Sequence, residues 1–380
     1  MRRARFADAF EARVRAARAE RSKCTACRLG SPGSGDQGGH ESAWAVVGCS
    51  DKGRTRSGRG MRGGVFCCRG RGLAVGAVSA GILLVSACGA ARVASPASGT
   101  SSAGSRSSSP AGSQPFAAQK VGTGRLMVTT LSGKASGVTM KVWVWVPPQY
   151  DDPRYAKTAF PVLMLFPGGD GVGYTQWFSF GQPELISAGS KTGVVSPFVM
   201  VEPQMQLSTA QDTECTDLDG QPKVGTFLDT DVPAMIADSF RVIAGRSGWG
   251  VGGASSGGYC AARLLFGHPD RFSVGVTLGG YFQIDTPLAA GHTPAAKASS
   301  PMAIESGPHP PDVWLRAWSS SAEAFSVSQN QSFIKVVQPP TKADLKILPG
   351  GAHTWATFVG MLPDTFAFFT EHLDKPTPKQ

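Results

Sequence analysis

Gly253-Ala254-Ser255-Ser256-Gly257-Gly258 is the stretch on which the reading of this chain turns. A short apolar run, Gly248-Trp249-Gly250-Val251-Gly252, precedes it. Tyr259-Cys260-Ala261-Ala262-Arg263-Leu264-Leu265-Phe266 follows and reads as a helix. Strand, Gly-x-Ser-x-Gly, helix is the layout of a nucleophile elbow. A serine hydroxyl is a weak nucleophile until a base takes its proton, and a sharp turn lifts it clear of the backbone. Small residues two before and two after the serine let strand and helix approach. The N–H of the next residue then faces the developing oxyanion. Two registers fit. Ser255 is flanked by Gly253 and Gly257, and Ser256 by Ala254 and Gly258; the paired glycines favour Ser255. In a chain with 48 glycines the same pattern also fits an idle Gly-rich loop, so the case rests on finding its partners.

Around the elbow, residues 121–375 are long enough for one large α/β domain with a well-buried sheet. Arg125–Leu131 and Thr139–Val146 read as an opening antiparallel pair, with Val142, Val144 and Val146 on one face and Trp143 and Trp145 on the other. The apolar runs 161–166 and 197–201 read as buried strands. Residues 183–190 and 227–242 have helical character. After the strand at 249–253 and the helix at 257–267, strands are expected at 273–278, 302–304 and 345–348. Helices are expected at 314–325 and 358–372. Strands alternating with helices imply a mostly parallel sheet covered on both faces.

Chemistry in such sheets sits at the carboxyl ends of the strands. Phe166-Pro167-Gly168-Gly169-Asp170-Gly171 follows the first buried strand directly, so Gly169 N–H and Ser256 N–H are the candidate oxyanion donors. Of six histidines, His353 is the best placed base. It lies in Pro349-Gly350-Gly351-Ala352-His353-Thr354-Trp355, after the last strand and before the last helix, where a Ser…acid…His order puts it. The acid falls between them in the chain. Asp285, Glu305, Asp312, Glu323 and Asp344 are available, and Asp312, just past the strand expected at 302–304, occupies the expected slot. Trp177, Phe178, Phe180 and Trp355 are candidate acyl-site aromatics, or simply core.

The formal charge of +10 is lopsided: residues 1–87 carry 16 Lys and Arg against 6 Asp and Glu, and the remainder is balanced. The basic pI therefore gives no reason to expect a nucleic-acid partner. Residues 73–87 are apolar, preceded by Arg69 and Arg71 and followed by Cys88. A basic start, an apolar middle and small residues at the end make an export signal, and Val85-Ser86-Ala87-Cys88 resembles a lipobox in which Cys88 is lipidated. A single membrane helix is the alternative. Residues 61–88 are thus read as signal or anchor, and residues 1–60 as a mis-annotated or disordered extension. Cys24 and Cys27 with His40 and Cys49 lack a second closely spaced pair for zinc. Residues 89–120, dominated by Gly, Ala, Ser and Pro, are read as a flexible linker.

Ser255-Ser-Gly-Gly-Tyr-Cys-Ala-Ala, His268-Pro-Asp-Arg-Phe272, the 349–355 stretch and the 166–169 loop together resemble the putative-esterase branch (esterase D and mycolyltransferases) of the α/β-hydrolase fold. The resemblance spans residues 125–373. It implies a triad of Ser255, His353 and a carboxylate at Asp312, with Gly169 and Ser256 as the oxyanion hole. Two residues depart from the common pattern, Pro167 where many members have His and Ser256 where many have Met, which bears on substrate choice. An exported domain is oxidised, so its only two cysteines, Cys215 and Cys260, are expected to pair. The first expectation is a lipid-anchored or secreted envelope esterase acting on an ester or acyl-donor small molecule or an envelope lipid. A mycolyltransferase-like acyltransferase and a non-catalytic envelope binding lipoprotein remain open. No cofactor is expected, since hydrolysis by this route needs none.

Overall fold

The computed structural model describes residues 114–169, 175–289 and 294–378. The extension, the signal with Cys88, the Cys24/Cys27 pair and the linker up to residue 113 lie outside the described residues. The first strand, β1 (Ala117–Gln119), falls inside the stretch read as linker and pairs antiparallel with β2 (Arg125–Ser132). β2 pairs antiparallel with β3 (Thr139–Val146). A two-residue strand, β4 (Thr158–Ala159), stands apart from the main sheet. Then come β5 (Val162–Phe166), β6 (Val199–Pro203), β7 (Trp249–Ala254), β8 (Val274–Leu278), β9 (Trp314–Ser320) and β10 (Lys342–Leu348). β11 (Thr377–Pro378) pairs only with β4. The nine-stranded sheet runs β1-β2-β3-β6-β5-β7-β8-β9-β10, parallel from β6 onward. It is the mostly parallel α/β architecture that the sequence predicts.

Side-chain alternation decides which helix covers which face. Val162, Met164 and Phe166 of β5 enter one core with Cys260–Phe266 of the elbow helix and with Phe227, Leu228, Val232 and Ile236. Leu163 and Leu165 enter the other, against Leu185, Ile186, Phe366 and Phe369. β3 divides in the same way: Val142, Val144 and Val146 face the first core, Trp143 and Trp145 the second. Each such buried side chain contributes about 1.5–3 kcal/mol, so the two layers hold the helices onto the sheet without help from the loops.

Two elements differ from the sequence reading. Residues 302–304, expected as strand, belong to the helix Pro301–Glu305, whose leading proline pre-sets a helical φ. Trp314–Ser320, expected as the start of a helix, is β9. Its period is two: Leu315 and Ala317 are buried in the first core, while Trp314 and Arg316 point to the opposite face. There Arg316 lies 4.2 Å over the Phe368 ring and Trp314 stacks on His372. Large aromatic and aliphatic residues mimic helical spacing over so short a window. The helix that follows starts only at Ala324.

Candidate active site

The carboxyl ends of β5, β7, β8, β9 and β10 share one edge of the sheet, and the segments that leave them build the site. Ser255 follows β7 with φ 55° and ψ −122°, a strained conformation for a residue with a side chain. A Cβ on Gly253 would collide with the carbonyl of Gly257. One on Gly257 would collide with the carbonyl oxygens of Phe166 and Pro167. The two positions where nothing larger than glycine fits are those flanking Ser255, and Ser256 is already the first residue of the helix Ser256–Gly267. The turn therefore centres on Ser255. Its N–H donates to Leu278 O (2.9 Å), tying it to the end of β8.

Gly279, the next residue along β8's exit, lies against a buried carboxylate. A Cβ there would stand 3.1 Å from Glu323 Oε2. Glu323 follows β9 and its side chain is 7% exposed; Oε2 lies 2.7 Å from Nδ1 of His353, whose side chain is 47% exposed. With the carboxylate ionised, Nδ1 carries the proton and donates it, leaving the Nε2 lone pair as a base. The histidine loop is stitched to the end of β9. Ser320 Oγ donates to Gly350 O (2.5 Å) and to Gly351 O, and Gly350 N donates to Ser321 Oγ (2.8 Å). The Phe358 ring meets the His353 ring edge-on at 5.2 Å.

Asp312 is not near this pair. It immediately precedes β9, at the opposite end of that strand from Glu323. Its exposed carboxylate accepts from Lys342 Nζ at 2.8 Å, and that ammonium holds it below the usual carboxylate range. Glu305 is buried but accepts from Gln338 N and Thr341 Oγ1, and Asp344 is paired with Arg316. The carboxylate that meets His353 follows the strand paired with β10; reading that strand at 302–304 instead of 314–320 points to Asp312 instead of Glu323.

The loop after β5 lies over the elbow: a Cβ on Gly168 would be 3.3 Å from Ser255 Cβ. Gly169 has φ +77°, and its carbonyl accepts from Ser256 Oγ at 2.9 Å. Gly168 N is committed to Gln176 Oε1 (2.9 Å), so of the two glycines Gly169 has the N–H suited to an oxyanion. The elbow helix adds the positive end of its dipole and its leading N–H groups, those of Ser256 and Gly257, which precede the first one bound within the turn, Gly258 N–H to Ser255 O at 2.8 Å.

Two polar residues here escaped the sequence reading. Gln176 Oε1 also accepts from Trp355 Nε1 at 2.6 Å. Glu202, at the end of β6 and wholly buried, accepts from Gln176 N (3.0 Å) and Trp177 N (3.1 Å). Burial pushes its carboxyl well above the ordinary value of 4.5, and the two amide hydrogens pull it partway back. A charged residue within the apolar run Val199-Met200-Val201-Glu202 was the available signal, because buried carboxylates occur where something holds them.

Of the candidate aromatics, Trp177 and Phe178 are core. Phe180 and Trp355 are partly exposed and stack nearly parallel with centroids 5.4 Å apart. On the Glu323 side, Tyr281 and the 60% exposed Phe325 form a second aromatic edge. Glu214 accepts from Tyr281 OH and from the amides of Asp285 (2.7 Å) and Thr286 (3.0 Å). Cys215 is bonded to Cys260, with Cα atoms 5.6 Å apart, joining this loop to the elbow helix. Among the described residues no group of three His, Cys, Asp or Glu side chains is arranged to hold a metal ion.

The model of a family described as "Putative esterase" matches residues 133–369. The chain belongs to the putative esterase family. An uncharacterized protein of Corynebacterium glutamicum is 33% identical over 183 residues, which are 44% of this chain and 42% of that one, so the match spans less than half of this relative. Among solved structures, a ferulic acid esterase is similar with a TM-score of 0.55 and 18% identity, over 68% of this chain and all of that one. An S-formylglutathione hydrolase from Agrobacterium tumefaciens is similar with a TM-score of 0.56 and 16% identity, over 68% and 99%. At these identities the likeness establishes that this esterase-family chain has the α/β-hydrolase fold.

Proposed function

We propose that this member of the putative esterase family is an exported serine hydrolase that cleaves carboxylic esters through an acyl-enzyme. The observation that carries the reading is the Glu323–His353 hydrogen bond beside the strained turn at Ser255. His353 Nε2 takes the Ser255 proton as Oγ attacks the acyl carbon. Glu323 keeps the imidazole in the tautomer that can do so and stabilises the imidazolium. The Gly169 and Ser256 amide N–H groups donate to the oxyanion. The imidazolium then gives its proton to the departing alkoxide, and water repeats the sequence to release the acid. Export, with Cys88 as a lipid anchor, rests on the charge and apolar pattern of residues 69–88.

The test is labelling of the full chain with a fluorophosphonate probe, alongside turnover of p-nitrophenyl esters. Labelling and turnover that both vanish in Ser255→Ala support the proposal. A folded wild type that neither labels nor turns over would sink it and favour a binding protein that keeps the fold.

A further inference from the structure

Oxyanion donor and general base reach the site on different loops, one leaving β5 and the other leaving β10. Nothing in the order of the strands aligns these loops with each other. The Gln176 side chain hydrogen-bonds to both. Gln176 Oε1 accepts Gly168 N–H at 2.9 Å from the first loop and Trp355 Nε1–H at 2.6 Å from the second, two residues beyond His353. A carboxamide oxygen has two lone pairs, and both are used here.

Gln176 also fixes a direction. Its Nε2 donates to Gly168 O at 3.3 Å. A trans peptide is planar, with C=O and the following N–H pointing opposite ways. Holding Gly168 O toward Gln176 therefore turns Gly169 N–H away from it. The Gly169 carbonyl is held in turn by Ser256 Oγ, so both peptide planes around Gly169 are tied. Gln176 itself rests on a rigid base. Its own N–H and that of Trp177 are bound by the buried Glu202, and Trp177 Nε1 donates to Phe166 O at 2.9 Å. The Trp177 ring packs edge-on against Trp355 at 5.3 Å.

We propose that Gln176 is a positioning residue that locks the oxyanion loop to the histidine loop, so that the Gly169 amide and the His353 imidazole are aligned by one carboxamide. This rests on the serine-hydrolase reading above. It touches no reacting atom, and its effect falls on the transition state, where a misplaced donor costs rate and leaves ground-state binding largely intact.

The experiment compares the full-length wild type, Gln176→Met, Trp355→Phe and the double variant with p-nitrophenyl acetate and a fluorophosphonate. Circular dichroism confirms the fold of each. Gln176→Met is expected to lower kcat about 10- to 100-fold, because the donor is misaligned and not lost, outright loss costing roughly 100- to 1,000-fold, with KM within about two-fold. Trp355→Phe lowers kcat by less, again at constant KM. The double variant resembles Gln176→Met alone, because residues acting as one unit are not additive. A folded Gln176→Met with wild-type kcat, a loss confined to KM, or multiplicative effects in the double variant would overturn the proposal. Should Gln176→Met not fold, Trp355→Phe decides: reduced kcat at constant KM supports the lock, and unchanged kcat overturns it. A wild type that does not label at Ser255 removes the underlying hydrolase reading, an outcome separate from all of these.

Discussion

Glu323 and His353 share a 2.7 Å hydrogen bond across two adjacent parallel strands, although 30 residues separate them in the chain. Asp312, eleven positions before Glu323, is occupied at the far end of β9 by Lys342. Replacing Glu323 by Gln is therefore expected to lower kcat by roughly 10,000-fold, the order of magnitude seen when a triad acid is lost. Asp312→Asn should leave kcat within about two-fold. The reverse ranking in steady-state kinetics would reinstate Asp312.

Gly257→Ala places a methyl group against the carbonyl oxygens of Phe166 and Pro167. Backbone on both sides leaves no flexible neighbour to give way. The expected cost is about 1–3 kcal/mol of stability, with loss of probe labelling, because the strand carrying the oxyanion loop is pushed off the elbow. Thermal unfolding and labelling read the two effects separately. Unchanged values in both would mean that the turn has more room than its geometry implies.

Ser256→Ala removes the hydroxyl that holds Gly169 O but leaves the Ser256 N–H in place. Labelling should persist at Ser255 and kcat should fall by roughly 3- to 10-fold, well short of losing an oxyanion donor outright. Loss of labelling in this variant, with labelling kept in Ser255→Ala, would transfer the nucleophile to Ser256.

The disulfide closes a separation of 45 residues, worth about 4 kcal/mol on the chain-entropy model. Cys215→Ala/Cys260→Ala should lose stability of this order, read as a lower unfolding temperature, and thiol titration of the unfolded wild type should find neither residue free. Two titratable thiols at these positions would exclude the bridge.

Glu202 gives a pH signature with a definite sign. Its folded carboxyl titrates above its ordinary value of 4.5. Above that value the unfolded chain has released a proton that the folded state still holds. Stability is therefore highest at the acid side of the window and declines as pH rises toward the folded value, by at most about 1.4 kcal/mol per pH unit. Glu202→Gln removes the decline, so its melting temperature relative to wild type should improve as pH climbs from 4.5. A difference independent of pH would show that Glu202 is ionised in both states.

The elbow, the buried strands and the histidine loop were legible because each has a local cause: paired glycines, an uninterrupted apolar run, a Gly-Gly turn before an aromatic. β9 was not, because Trp314-Leu315-Arg316-Ala317-Trp318 supports either period until its neighbours are known. Trp314 and Arg316, two apart, lie on opposite sides of a helix but share one face of a strand, where Phe368 and His372 cover them. The acid went astray with it. Glu202 carried a signal, a charge inside an apolar run, but Gln176 did not: its partner Trp355 lies 179 residues away, and no single-chain pattern marks an amide that bridges two loops.

The seams at Ser320 and Ser321 have a mechanical consequence. They bind the end of β9 to the loop leaving β10, so Glu323 and His353 are held to each other by backbone contacts as well as by their own hydrogen bond. Ser255 is fixed from elsewhere, by the end of β7 and the carbonyl of Leu278, so the Glu323–His353 bond does not depend on the turn that carries the serine.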